Sequence, residues 1–394
     1  MAAACIQSLP PEILELILDH VEEYPPSYFG FCIQPSLNLI SSKYQHPPLK
    51  SFSRVSRAFR RMAIPRLFQC TLHLVTIEAR NQELENEWQS LSGWPRKFWE
   101  FVTFLEEMQL GHVVRSFTLA IKEHPELDGE GDLEYLPREA AEYQHRWIHL
   151  FSHAAPFLSR VTIVAPPELL GILSGMPLES LSDVIHVPYQ ILSLWIHPFL
   201  GHRHVIRAEE FSSDQWPLLT ARPWTHLSLN EGSFMRKIDT QERGELEQYK
   251  FISSELCALQ REHNVFPRIW SVSYTAVYPP LAHLRKVKRL IGALPRLAEF
   301  QFTIRQLATL LPDPYTPEQP EPEVTNALWR DIYPDLMNVS SQADELAQEL
   351  NVEKCLEYLK LVLCVDRMAF DGYYKALDAS MNGCLWQTVV DEAA

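Results

Sequence analysis

Apolar residues recur at two different periods along this chain, and the change of period divides it in two. Ile13, Leu14, Ile17, Leu18 and Val21 stand three and four apart, which draws one stripe along a helix. Pro10 and Pro11 suit that helix's first turn, where a missing N–H leaves nothing unpaired. Glu12, Glu15 and Asp19 place negative charge toward its positive end. A second helix is predicted after Leu49: at ~100° per residue, Phe52, Val55, Phe59 and Met62 fall in one quadrant, with Lys50, Arg54, Arg57 and Arg61 opposite. That segment closes with Pro65, Arg66, Leu67 and Phe68. Between the two helices lies an insertion from Glu23 to Pro48 that is rich in aromatic residues and proline.

Beyond the second helix the period changes to that of a strand. A triplet of bulky residues, spaced by two and then one, occurs eight times: Leu67, Cys70, Leu72; Val114, Phe117, Leu119; Leu158, Val161, Ile163; Tyr189, Leu192, Leu194; Trp224, Leu227, Leu229; Ile269, Val272, Tyr274; Leu297, Phe300, Phe302; and Leu356, Leu359, Leu361. The last two positions of each alternate with more polar neighbours, as in a strand with one buried face. Pro156, Pro267 and Pro295 each precede the first bulky position by two. Helical patterns fill the intervals, at Trp94 to Leu110, Pro137 to Ala154, Glu242 to His263, Leu281 to Leu294 and Ser341 to Leu350. Strands and helices alternating in one direction imply a parallel sheet with helices on one side, built as an arc. Leu311 to Glu323, with five prolines and four acidic residues, reads instead as an exposed acidic loop, and Met368 to Val390 as a closing segment.

Charge sharpens this division. The 394 residues carry 35 basic and 50 acidic side chains, a formal charge of −15, yet residues 47–77 hold six Lys or Arg and no acid. General nucleic-acid binding, which needs cations spread along a face, is not expected. At 46 % hydrophobic the chain has material for a large core. Seven cysteines without C-x-x-C spacing, and no apolar N-terminal leader, point to a reduced cytoplasmic or nuclear protein. The most apolar stretch, Val184 to Phe199, is broken by Pro188 and Pro198, so no membrane span is expected.

Few residues suggest chemistry. His145, His149 and His153 recur at four-residue intervals, but they fall opposite Trp147, Leu150 and Phe151 and lack the Glu of an H-E-x-x-H motif, so a solvated face is the expectation. His186, His197, His202 and His204 stand in a turn-rich stretch without carboxylate or thiol partners. No nucleophile elbow, phosphate loop or dinucleotide fingerprint is present, and no cofactor, metal or catalytic residue is assigned.

Leu9, Pro10, Glu12, Ile13 and Leu14, followed by Val55, Ser56, Arg57, Phe59 and Arg60 and then by Pro65 to Phe68, resemble the F-box, the helical module that docks adaptor subunits on the Skp1 protein of cullin-type ubiquitin ligases. The closing segment is similar to that of fungal members; the long insertion departs from the family's short loop. The triplets resemble the strand-bearing part of irregular leucine-rich repeats, although their first positions stand from 28 (Ile269 to Leu297) to 59 (Leu297 to Leu356) residues apart. The resemblance implies an α/β chain in two parts: residues 1–70 as an F-box-like module with insertion 23–48, and residues 71–394 as an arc of parallel strands with helices on its convex side. It further implies a substrate-recognition adaptor that docks a Skp1-like protein through Leu9, Pro10, Ile13, Leu14, Ile17, Val55 and Phe59, while the arc holds a protein target. Two other readings stand beside it: a scaffold whose first helices only cap the repeat fold, and an enzyme with a dispersed site.

Overall fold

The computed structural model describes residues 9–21, 48–77, 93–123, 146–165, 167–176, 190–197, 216–233, 252–277, 281–305 and 358–364. Among the described residues α1 (Pro11–Val21), α2 (Pro48–Phe52) and α3 (Arg57–Gln69) come first, and α3 runs without a break into β1 (Cys70–Ile77). Then follow α4 (Gly93–Glu107), β2 (Ser116–Glu123), a π turn (Leu150–Ala154), β3 (Arg160–Ala165), α5 (Pro167–Ser174), β4 (Gln190–Trp195), α6 (Pro217–Thr220) and β5 (His226–Ser233). The remainder comprises α7 (Ile252–His263), β6 (Ser271–Val277), α8 (Leu281–Ala293), β7 (Glu299–Arg305) and β8 (Tyr358–Cys364). The strands form one eight-stranded sheet in sequence order, so the fold is mixed α/β with a mostly parallel sheet.

The register explains the triplets. Val161 pairs with Leu194, Leu194 with Leu227, Leu227 with Val272, Val272 with Phe300 and Phe300 with Leu359; Ile163, Leu192, Leu229, Tyr274, Phe302 and Leu361 make the next row. From β2 to β7 these two rows are buried, and they share one core with Phe98, Val102 and Leu105 of α4, Leu170 and Leu173 of α5, Ile252 and Leu256 of α7, and Val287, Leu290 and Ile291 of α8. Each such side chain contributes roughly 1.5–3 kcal/mol on burial, so the shared face is the main source of stability. The opposite face reads Thr118, Thr162, Ser193, Ser228 and Ser273 along one row, and Thr162 Oγ1 meets Ser193 Oγ at 2.8 Å.

Two expectations need correction. First, β4 is antiparallel to both β3 and β5, so the strands do not all run one way. Alternation at period two has no direction: Leu192 and Leu194 reach the core from either sense, and only the connections decide which. Second, β1 is slipped by one residue from the expected register. Thr71 and His73 stand opposite Phe117 and Leu119, while Leu72 and Leu74 remain 41 % and 40 % exposed. Thr71 Oγ1 donates to the Ser116 carbonyl at 3.2 Å, which satisfies its hydroxyl, and the His73 ring packs on Phe98 and Phe101. A slip of one residue exchanges the two faces of a strand.

Three close contacts fix a helix start, the π turn and a loop around this sheet. The Glu231 carboxylate, fully buried on β5, accepts from the Ser253 backbone N–H at 2.9 Å and from the Tyr274 hydroxyl at 2.7 Å, joining β5, β6 and the start of α7. Burial, the neighbouring carboxylate and that hydrogen bond hold the Tyr274 phenol well above its usual pKa. Arg222 Nη2 donates to the carbonyls of Phe151 and Pro156, both at 2.7 Å, closing the end of the π turn; burial lowers its pKa to about 10. A Cβ at Gly111 would overlap the Ala154 carbonyl, so only glycine lets the loop before β2 approach the π turn this closely. Residues 137–145, 311–323, 341–350 and 368–390, for which the sequence predicts helix, loop, helix and closing segment, lie outside the described residues.

The register makes a direct prediction. Leu72→Ser shifts unfolding stability by no more than about 0.5 kcal/mol. Phe117→Ala, in the buried row, costs about 3–5 kcal/mol. Urea midpoints at constant slope measure both; the reverse order would restore the unslipped register.

Candidate docking surface on the N-terminal helices

The N-terminal helices carry a small core of their own. Leu14 and Leu18 of α1, Leu49 of α2, and Phe59 and Ala63 of α3 are buried, and all stand outside the sheet core. α1 packs on α2 and α2 on α3, and the Phe52 and Phe59 rings stack with centroids 4.3 Å apart. α3 bridges to the sheet, through Ile64 and Phe68 packed against the main core.

This arrangement divides the apolar residues of α1 between two faces. Leu14 is 6 % exposed, whereas Leu9, Ile13 and Leu16 remain in solvent. Ile13 and Leu16, three apart on α1, lie about 60° from each other at ~100° per residue and form an outward ridge, with Leu9 exposed just ahead of the helix. Ile17 stands between the faces and is half-buried, and Pro10 is exposed. Of the seven sequence-assigned contacts, Leu9, Pro10, Ile13 and Val55 are thus accessible, Ile17 is partly so, and Leu14 and Phe59 belong to the module's own packing. Leu16 was not singled out from the sequence. The signal for it was present, because Ile13, Leu14, Leu16, Ile17 and Leu18 are too many for one stripe.

The second helix is not continuous, which corrects another expectation. Residues Ser53–Val55 form a turn between α2 and α3. Ser53 Oγ donates to the Lys50 carbonyl at 2.8 Å, and Ser56 Oγ accepts from the Phe59 N–H at 3.1 Å as the N-cap of α3. Both serines bind the backbone and compete with helix continuation. The consequence is that Val55 sits in the turn, 60 % exposed, away from Phe52 and Phe59. Around it lie Arg54, Arg57, Arg60 and Arg61, all exposed. Three of these stand in the opening turns of α3, whose first turn holds no acid. Cations near a helix N-terminus oppose the dipole, so this surface is electrostatically unsatisfied and suited to an acidic neighbour.

Elsewhere the described residues offer less. His149 Nε2 lies 2.9 Å from Glu106 Oε1, and its ring is 5.1 Å from that of His153, which is exposed; His145, His186, His202 and His204 lie outside the described residues. Among the described residues no group of three metal-ligating side chains is found, and no helix is long and apolar enough to cross a membrane. A stacked column crosses one end of the sheet's polar face: Arg160 over Trp195 at 5.4 Å, Trp195 on His226 at 4.9 Å, and His226 on His197 at 5.6 Å, with Trp270 edge-on to His226. Burial, reinforced by His197, lowers the His226 pKa from 6.5 to about 4.

Comparison with protein-family models, with curated proteins and with solved structures finds no match.

Two outcomes follow. Leu14→Ala destabilises by about 2–5 kcal/mol, while Ile13→Ala stays within about 0.5 kcal/mol; thermal melts followed by circular dichroism separate the two faces of α1. Because folding holds His226 neutral, the unfolded chain binds the extra proton between its usual 6.5 and about 4, and stability falls as pH drops through that window. Urea midpoints at pH 7 and pH 5 should therefore differ less in His226→Phe than in wild type.

Proposed function

We propose that this chain is a substrate-recognition adaptor, docking a Skp1-like protein through its N-terminal helices and holding a protein target on the strand-and-helix region for ubiquitin transfer by other subunits. The observation that carries the reading is the outward ridge of Ile13 and Leu16, with Leu9 and Val55 also exposed, left uncovered although the same helices bury a core of their own. A few large apolar side chains at roughly 1.5–3 kcal/mol each are enough to anchor a partner. The arginines around Val55 would steer an acidic partner toward the ridge and give association its salt dependence. The sequence-ordered sheet with helices packed on one face supports the irregular repeat-like arc as the target-holding part. The reading places no catalytic group on this chain and needs no cofactor.

A second reading is favoured by a different observation. α3 passes directly into β1, and Ile64 and Phe68 pack on the sheet core, as they would in a structural cap on a scaffold that serves no ligase.

Full-length protein mixed with a purified Skp1-like protein and run on size exclusion distinguishes the two. An adaptor co-elutes, and Ile13→Asp combined with Val55→Asp abolishes co-elution while leaving the melting temperature within a few degrees of wild type. Undiminished co-elution of that variant removes the ridge from the contact. No complex with wild type, together with loss of a cooperative melt on deleting residues 1–70, establishes the cap.

A further inference from the structure

We propose that the outer side of the α7–α8 pair is a docking surface for an extended acidic segment of a partner protein. The inference is independent of the N-terminal helices and concerns the opposite end of the sheet order. Residues 252–299 carry seven Lys or Arg against three Glu, in a chain of charge −15. Five arginines of this stretch are exposed: Arg261 in the last turn of α7, Arg285 and Arg289 one turn apart on α8, and Arg268 and Arg296 in the turns before β6 and β7.

The fold fixes these five side by side. α7 and α8 pack together, and Gln260 Nε2 donates to the Ala293 carbonyl at 3.3 Å, which holds their C-terminal ends in contact. Arg261 and Arg289 both lie near enough to Cys257, between the two helices, to act on its thiol. The N–H groups of Ala298 and Glu299 donate to the Trp270 carbonyl at 2.8 and 2.9 Å. That rung sets the two turns in register, so Arg268 and Arg296 stand on backbones about 5 Å apart, the spacing of neighbouring strands. Among the described residues none of the five guanidiniums is paired with a carboxylate. Like charges so arranged repel, and a run of carboxylates relieves the repulsion while matching the planar donor fork of arginine.

An independent feature lies among them. Gly292 is exposed on the α8 face that carries Arg285 and Arg289, and a Cβ there would meet nothing within 4 Å. Glycine weakens a helix relative to alanine, and no crowding inside this chain requires it. A bare backbone between Arg289 and Arg296 lets another chain lie against the helix between the charges. The net negative charge of the protein opposes any polyanion at long range, and a short acidic segment, with fewer charges than a nucleic-acid strand, meets less of that repulsion.

The test uses the full chain and a fluorescein-labelled peptide of alternating Glu and Ser, read by anisotropy, with a Ser–Asn peptide and single-stranded RNA for comparison. Wild type binds the acidic peptide, more weakly as salt rises, and not the neutral one. In an Arg57→Glu, Arg61→Glu background, which removes the N-terminal arginines from competition for the peptide, Arg289→Glu with Arg296→Glu weakens binding by roughly tenfold or more, and Gly292→Trp weakens it as well. Gly292→Ala raises the melting temperature, which shows that the glycine is not kept for folding. The proposal is overturned by absence of peptide binding in wild type, by binding insensitive to the α8 variants, by loss that follows the N-terminal arginines, or by preferential capture of the RNA through Arg289 and Arg296. Docking of a Skp1-like protein is read separately, by co-elution, so the two readings stand or fall separately.

Discussion

The structure depends on one constraint: two rows of large apolar side chains must remain in register across the sheet. From Val161 through Leu194, Leu227 and Val272 to Phe300, each inward residue faces another on the next strand, and the helices close over the row they form. Because the driving force is removal of apolar area from water, it is indifferent to strand direction. β4 can therefore run backwards without disturbing the core, since Leu192 and Leu194 still point inward. Direction is left to the connections, and the polar tie of Glu231 with Tyr274 and Ser253 fixes the start of α7.

The same logic accounts for the N-terminal helices. They do not join that core; they bury Leu14, Leu18, Leu49, Phe59 and Ala63 among themselves and touch the sheet through the end of α3. A short helix packed on one side only, with Ile13, Leu14, Leu16, Ile17 and Leu18 in sequence, has more apolar area than its neighbours cover. The surplus stays in solvent beside Val55 and a group of arginines. Surplus apolar area beside a group of cations is the physical basis for the proposal that this module binds a partner.

Much of this was legible in the residues. The eight triplets mark the eight strands among the described residues, because period-two alternation between turn signals is a local property. The register of β1 was not legible: Cys70, Leu72 and Leu74 form as good an alternating set as Thr71, His73 and Val75, and tertiary hydrogen bonding to Ser116 with packing on Phe98 and Phe101 decides between them. The break between α2 and α3 had a local cause in Ser53 and Ser56, which a wheel drawn only from apolar positions ignores. The docking residues divide in the same way. Periodicity grouped Ile13 with Leu14, but adjacent positions on a helix are ~100° apart, and the placement of α2 determines which one is covered.

Hydrogen–deuterium exchange on the full chain, with and without a Skp1-like protein, addresses the central claim most directly. The account predicts added protection confined to the amides of residues 9–21 and of the Ser53–Ser56 turn, with the sheet unchanged. Protection confined to the sheet, or none anywhere at saturating partner, would contradict it.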